Sequence, residues 1–80
     1  MLTITTRYHG ATDTRGSRVI ATATVNNRRR SIRVPFDYAA GAYGTHEAAA
    51  RALGERFGLK VYDACEGTRT GWRFLAAVTA

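Results

Sequence analysis

Apolar and polar residues alternate along most of this chain, on both sides of one stretch that follows a helical period instead. Residues 2–8 read Leu-Thr-Ile-Thr-Thr-Arg-Tyr, with Leu2, Ile4, Thr6 and Tyr8 on one side and Thr3, Thr5 and Arg7 on the other. A period of two predicts a half-buried strand. Residues 9–17 are polar and punctuated by Gly10 and Gly16, which predicts a loop. Residues 18–25 alternate again, with Val19, Ala21, Ala23 and Val25 as the inward set. Asn26-Asn27 predicts a tight hairpin turn, because Asn accepts positive φ more readily than most residues. Residues 28–34 return as a third strand, with Ile32, Val34 and then Phe36 inward. Pro35 cannot donate to a ladder, so this strand ends there or lies at a sheet edge.

Residues 37–44 are expected to form a loop, Thr45 to cap a helix, and Glu47 to sit near the positive end of the helix dipole. The helix is predicted over about 46–57, with Ala49, Ala52, Leu53 and Phe57 on one stripe. Its small side chains allow close approach to a sheet. Gly54 is costly in a helix interior and suggests a tight backbone contact, while Gly58 is expected to end the helix in a left-handed conformation. Residues 59–65 and 72–78 predict a second hairpin, with Trp72, Phe74, Ala76 and Val78 inward. The expected fold is α+β: a single domain over 1–80, an antiparallel sheet in the order β-β-β-α-β-β, and one helix on one face. One helix covers one face only. The open face is predicted to carry Thr3, Thr5, Arg7, Arg18, Thr22, Thr24, Arg29, Arg33, Lys60, Tyr62 and Arg73.

The placement of charge sharpens that expectation. The net charge is +6, and residues 1–35 hold Arg7, Arg15, Arg18, Arg28, Arg29, Arg30 and Arg33 against Asp13 alone, which accounts for the whole excess. The remaining residues balance Arg51, Arg56, Lys60, Arg69 and Arg73 against Asp37, Glu47, Glu55, Asp63 and Glu66. Arginine's planar fork suits phosphate and carboxylate. The candidate partner-binding residues are therefore Arg7, Tyr8, His9, Arg15, Arg18, Arg28, Arg29, Arg30, Arg33, Arg69 and Arg73. The Arg28-Arg29-Arg30 triplet alternates in direction along a strand, so it forms one patch only where both faces are open, and it is expected to sit at the hairpin tip.

Catalytic chemistry is not apparent. His9, His46, Cys65 and the acidic residues show no zinc or calcium spacing, and no phosphate-cradling loop occurs. No catalytic residues, metal or cofactor are expected. A chain this short leaves no room for a deep pocket beside its core. Cys65, the sole cysteine, is expected to be a small core residue. No run approaches membrane-spanning length and Met1 is not followed by a leader pattern, so the expected location is the cytoplasm, without a membrane partner. The one helix is alanine-rich and nearly neutral, a poor reader of the major groove, so only weak, non-specific contact with nucleic-acid backbone is expected.

Residues 4–18 (Ile-Thr-Thr-Arg-Tyr-His-Gly-Ala-Thr-Asp-Thr-Arg-Gly-Ser-Arg), 34–39 (Val-Pro-Phe-Asp-Tyr-Ala) and 46–53 (His-Glu-Ala-Ala-Ala-Arg-Ala-Leu) resemble a family of very short proteins from phages and mobile elements of proteobacteria. Proteins of comparable size and source include phage anti-CRISPR proteins. The resemblance implies an inhibitor of a type I CRISPR surveillance complex, with I-C as the subtype suggested, acting in the host cytoplasm as a monomer or weak dimer. Many anti-CRISPR proteins are acidic and imitate DNA, which a +6 chain cannot do by charge. The implied mode is to cap the guide-RNA or target-DNA path, or to occlude an acidic or mixed protein surface beside it. The alternative is a small basic accessory protein that holds DNA or RNA by the backbone. A minor toxin or modifying enzyme is the remaining class.

Overall fold

Period-two patterning becomes a five-stranded antiparallel sheet in a computed structural model of the chain, which describes residues 2–11 and 16–79. The strands are β1 (Leu2–His9), β2 (Arg18–Val25), β3 (Arg28–Pro35), β4 (Leu59–Gly67) and β5 (Trp72–Val78). Their spatial order is β3-β2-β1-β5-β4, so the first strand is central and the two hairpins flank it. The helix α1 (Gly41–Phe57) connects one edge strand to the other and packs on one face of the sheet. This is the expected α+β order.

The β2–β3 hairpin follows its local signals closely. Asn26 and Asn27 both adopt positive φ, 51° and 63°, as a two-residue turn that continues the strand twist requires. Pro35 ends β3 at the sheet edge, where its missing N–H removes nothing from a ladder. At the other edge, register shifts between Val61 and Ala64 and between Ala64 and Glu66 kink β4. Arginines and proline on β3, and irregularity on β4, blunt both edges against pairing with another chain.

The core is most of the expected inward set, with two corrections: Val78, at the end of β5, is 52% exposed, and on the helix Ala50 is buried in place of the expected Ala52. Ile4, Val19, Ala21, Leu53, Phe74 and Ala76 are fully buried, with Val25, Ile32, Val34, Phe36 and Phe57 packed around them. The helix contributes Ala49, Ala50 and Leu53, and Gly54 is also buried. A side chain at Gly54 would place its Cβ 2.7 Å from the Leu59 carbonyl oxygen and from Val61 Cγ2. The glycine is therefore the point where the helix backbone rests on β4. Gly58 ends the helix at φ 70°, and its N–H bonds to the Gly54 carbonyl.

The helix start differs from expectation. It begins at Gly41, not near residue 46, and Thr45 lies inside it as a buried residue and not as its cap. Asp37 organises the entry. Its Oδ1 accepts from the Ala39 and Ala40 N–H groups at 2.9 and 3.3 Å, and its carbonyl accepts from the Gly41 N–H at 3.1 Å. Thr45 donates to the Gly41 carbonyl at 2.8 Å, and its oxygen accepts from the Asp37 N–H at 3.3 Å. The first turn consequently carries no acidic side chain, and Glu47 lies beyond it, 3.5 Å from Arg51. Cys65 is a second correction. It is exposed, because the β4 irregularity turns Ala64, opposite Phe74, toward the helix side.

Gly54→Ala gains about 1 kcal/mol of helix propensity, but the clash is with a backbone carbonyl that cannot rotate aside, so the strain falls in the upper part of the overpacking range, about 2–3 kcal/mol. The expected net result is a loss of about 1–2 kcal/mol in urea unfolding. Gly16→Ala, which meets nothing within 4 Å, is the neutral control. An unchanged midpoint for Gly54→Ala would mean that α1 does not rest on β4 at this residue.

Candidate binding site: an open cationic face and an aromatic cleft

Strand register sorts the candidate residues into two groups. Across the face opposite α1, Arg7 lies beside Ile20, which lies beside Arg33. The next row runs Arg73, Thr5, Thr22, Ser31, and Thr24 pairs with Arg29. His9 pairs with Arg18, and Arg18 with Pro35. In every described pair an arginine stands opposite a non-arginine residue. Like charges directly opposite destabilise a sheet, so the spacers let the face carry several cations at low internal cost. Thr3, Thr5, Arg7, Thr22, Thr24 and Arg29 border a depression of about 570 Å³ on this face.

Arg73 pairs with Glu66 on the same face, both half-exposed, and such a pair adds little to stability. Lys60 sits 5.4 Å from the Tyr62 ring centroid. Arg18 is half-buried, and its Nε and one terminal nitrogen have no hydrogen-bond partner among the described residues. Arg7, His9, Arg18, Arg29, Arg33 and Arg73 thus share the open face.

The other candidates do not join them. Arg28 and Arg30 pair with Val25 and Ala23, inward positions of β2, and so belong to the helix side. The Arg30 guanidinium lies 5.1 Å from the Phe57 ring centroid, covering the end of α1. The triplet is therefore split across the sheet, with Arg29 alone on the open face. Tyr8 also lies on the helix side, opposite His9. Arg69 is in the β4–β5 loop. Arg15 lies outside the described residues.

Tyr8 and Arg69 belong to a cleft that sequence reasoning did not anticipate. It has a volume of about 530 Å³, in the range of small-ligand sites. Tyr8, Phe36 and Tyr38 form one wall, the loop carrying Arg69 the other, and His46 and Trp72 line it between them. The Tyr8 N–H donates to the Thr70 carbonyl at 2.8 Å, stitching the loop to β1. Only glycine fits at position 71, where a Cβ would lie 2.0 Å from the Thr6 carbonyl oxygen and 2.8 Å from His46 Cε1. The rings are fixed from outside: the Tyr8 and Tyr38 hydroxyls lie 3.1 and 3.4 Å from the Ser17 hydroxyl. Phe36 meets Tyr8 and Tyr38 edge-on, at centroid distances of 5.5 and 4.9 Å.

His46 is 2% exposed and held by Thr6, whose Oγ1 lies 2.7 Å from its Nδ1. The same Thr6 oxygen accepts from the Trp72 N–H at 3.2 Å and donates to the Trp72 carbonyl at 3.2 Å. With the hydroxyl proton on that carbonyl, Nδ1 carries the imidazole proton and donates to Thr6. Burial pushes the His46 pKa below its usual 6.5.

Comparisons with protein-family models, with curated proteins and with solved structures found no match. No helix among the described residues is long and apolar enough to cross a membrane.

The His46 shift has a signed consequence. Its folded pKa is lower than the unfolded value, so the folded state resists protonation. The contribution to stability is full above about pH 6.5 and is lost as pH falls from there toward the folded pKa, at no more than about 1.4 kcal/mol per pH unit. Unfolding curves of the native chain and His46→Gln should diverge below pH 6.5, the native chain losing stability faster. Parallel curves would show that protonating His46 costs nothing on folding.

Proposed function

We propose that this chain is a non-enzymatic binding protein that docks through the open face of its sheet on an anionic surface of a nucleoprotein complex. In line with the resemblance to small phage proteins, the complex is a type I CRISPR surveillance complex and the outcome is a block of target-DNA binding. The observation that carries this reading is the open face itself. Arg7, Arg18, Arg29 and Arg33 stand there together with threonines, with no helix among the described residues over them. Arginine at an interface centre is commonly a hot spot worth about 2 kcal/mol or more on truncation. Its bonds to phosphate or carboxylate are charge-assisted and, when exposed, weaken with salt.

Among the described residues, no helix stands on this face to enter a groove and read bases. That geometry suits occlusion of a phosphate path or of an acidic protein surface. The accessory-protein alternative uses the same residues on free nucleic acid. Recovery from host lysate with and without nuclease separates the two: a partner that survives digestion favours docking on protein, and one lost with the nucleic acid favours the accessory role.

Arg29→Glu with Arg33→Glu should abolish binding to the complex. Folding stability should change by no more than about 0.5 kcal/mol, because both side chains are exposed on an edge strand. Arg51→Glu with Arg56→Glu, on the exposed side of α1, should leave binding largely intact. Loss of binding in the helix pair with retention in the strand pair would place the interface on the opposite side of the molecule.

A further inference from the structure

We propose that the aromatic cleft is a second binding site, for an unpaired nucleobase of a single-stranded nucleic acid, with the strand's phosphate directed to Arg69. The inference stands apart from the open face, since the cleft lies on the helix side and shares none of the open-face arginines.

Ring exposure is the first argument. Tyr38 is 78% exposed and Tyr8 43%, and both line the cleft. Their hydroxyls are tied to Ser17, which orients the rings while leaving ring surface uncovered. Open, pre-oriented aromatic rings beside a cation are the usual means of holding a base and its phosphate.

Polar chemistry is the second. Arg69 supplies a planar donor at the rim, and Ala42, in a helix turn without an acidic side chain, borders the same space. His46 lines it as well. Its Nδ1 is taken by Thr6, which leaves Nε2 as the ring nitrogen open to a ligand. With the tautomer described above, that nitrogen is an acceptor suited to an exocyclic amine or ring N–H of a base.

Topology supplies the third. An extended peptide would be recognised by a free strand edge. Of the strands at this cleft, β1 and β5 are interior to the sheet, and the edge strand β4 reaches it only at its last residue, Gly67, which is paired with Trp72. A ligand here must be held by ring stacking and side-chain contacts, which suits a base better than an acidic peptide.

Trp72 is the sole tryptophan and lines the cleft, so its emission reports occupancy directly. The probes are single-stranded DNA and RNA oligonucleotides about eight nucleotides long, within the site sizes of single-strand binders, and a duplex of the same sequence. At least one single strand should quench Trp72 saturably and bind more tightly than the duplex. Tyr38→Ala should weaken that binding by about fivefold or more, the lower end for a lost stacking contact. Arg69→Ala should weaken it and flatten its salt dependence. Because Tyr38 and Arg69 are exposed, neither change should unfold the chain. Arg29→Glu with Arg33→Glu should leave the quenching intact, which keeps this test separate from that of the open face. The proposal is overturned if neither single strand quenches Trp72. It is overturned equally if the duplex binds as tightly, or if affinity is unchanged by both Tyr38→Ala and Arg69→Ala.

Discussion

The close approach of α1 to one side of the sheet is the constraint from which the rest follows. Ala49, Ala50 and Leu53 pack on the strands while Gly54 rests against the Leu59 carbonyl and Val61. Small side chains make that distance possible, and the same smallness limits how much area one helix can cover. The inward residues of all five strands meet this helix or pack around it, which commits the outward residues to the other face. Among the described residues no second layer covers that face, so its composition is free of the demands of a core. Threonine and arginine can occupy it because nothing there has to be buried.

What sequence patterning could reveal depended on how local the determining interactions were. The β2–β3 hairpin is set by residues within one turn of each other, and its strand bounds and positive-φ asparagines match expectation. The helix start was not legible, because the glycines at 41 and 44 suggest a loop. What overrides them is the Asp37 turn and the buried hydroxyl of Thr45. Cys65 misled for a similar reason: an irregular strand breaks the period-two count, and no local feature announces where. The open face was legible in part. Alternation placed Arg7, Arg18, Arg29, Arg33 and Arg73 correctly, whereas the arginine triplet reads as a single patch only until strand direction divides it. The cleft was not legible at all. Thr6 and Trp72 are 66 positions apart, and only the β1–β5 pairing brings the aromatic residues of separate segments together.

Two surfaces of different character therefore sit on opposite sides of one sheet. The open face is broad and cationic, with its arginines separated by neutral neighbours. The cleft is walled by rings, and it owes its shape to a glycine that lets one loop touch β1. The first suits a repeating array of negative charge, while the second suits a single planar group. A protein that lies across a nucleoprotein complex has use for both, one to hold backbone or acidic surface and one to trap an unpaired base at its margin.

The central claim is that anion docking occurs on the sheet's open face, and arginine side-chain NMR tests it most directly, because each Nε–H signal reports one guanidinium. Adding a short DNA duplex, as a weak polyanionic stand-in for the partner, should shift the Nε–H signals of Arg7, Arg29 and Arg33 at low salt. Those of Arg51 and Arg56 should stay in place, and the shifts should shrink as salt rises. Equal movement of all five, or movement confined to the helix arginines, would contradict the account.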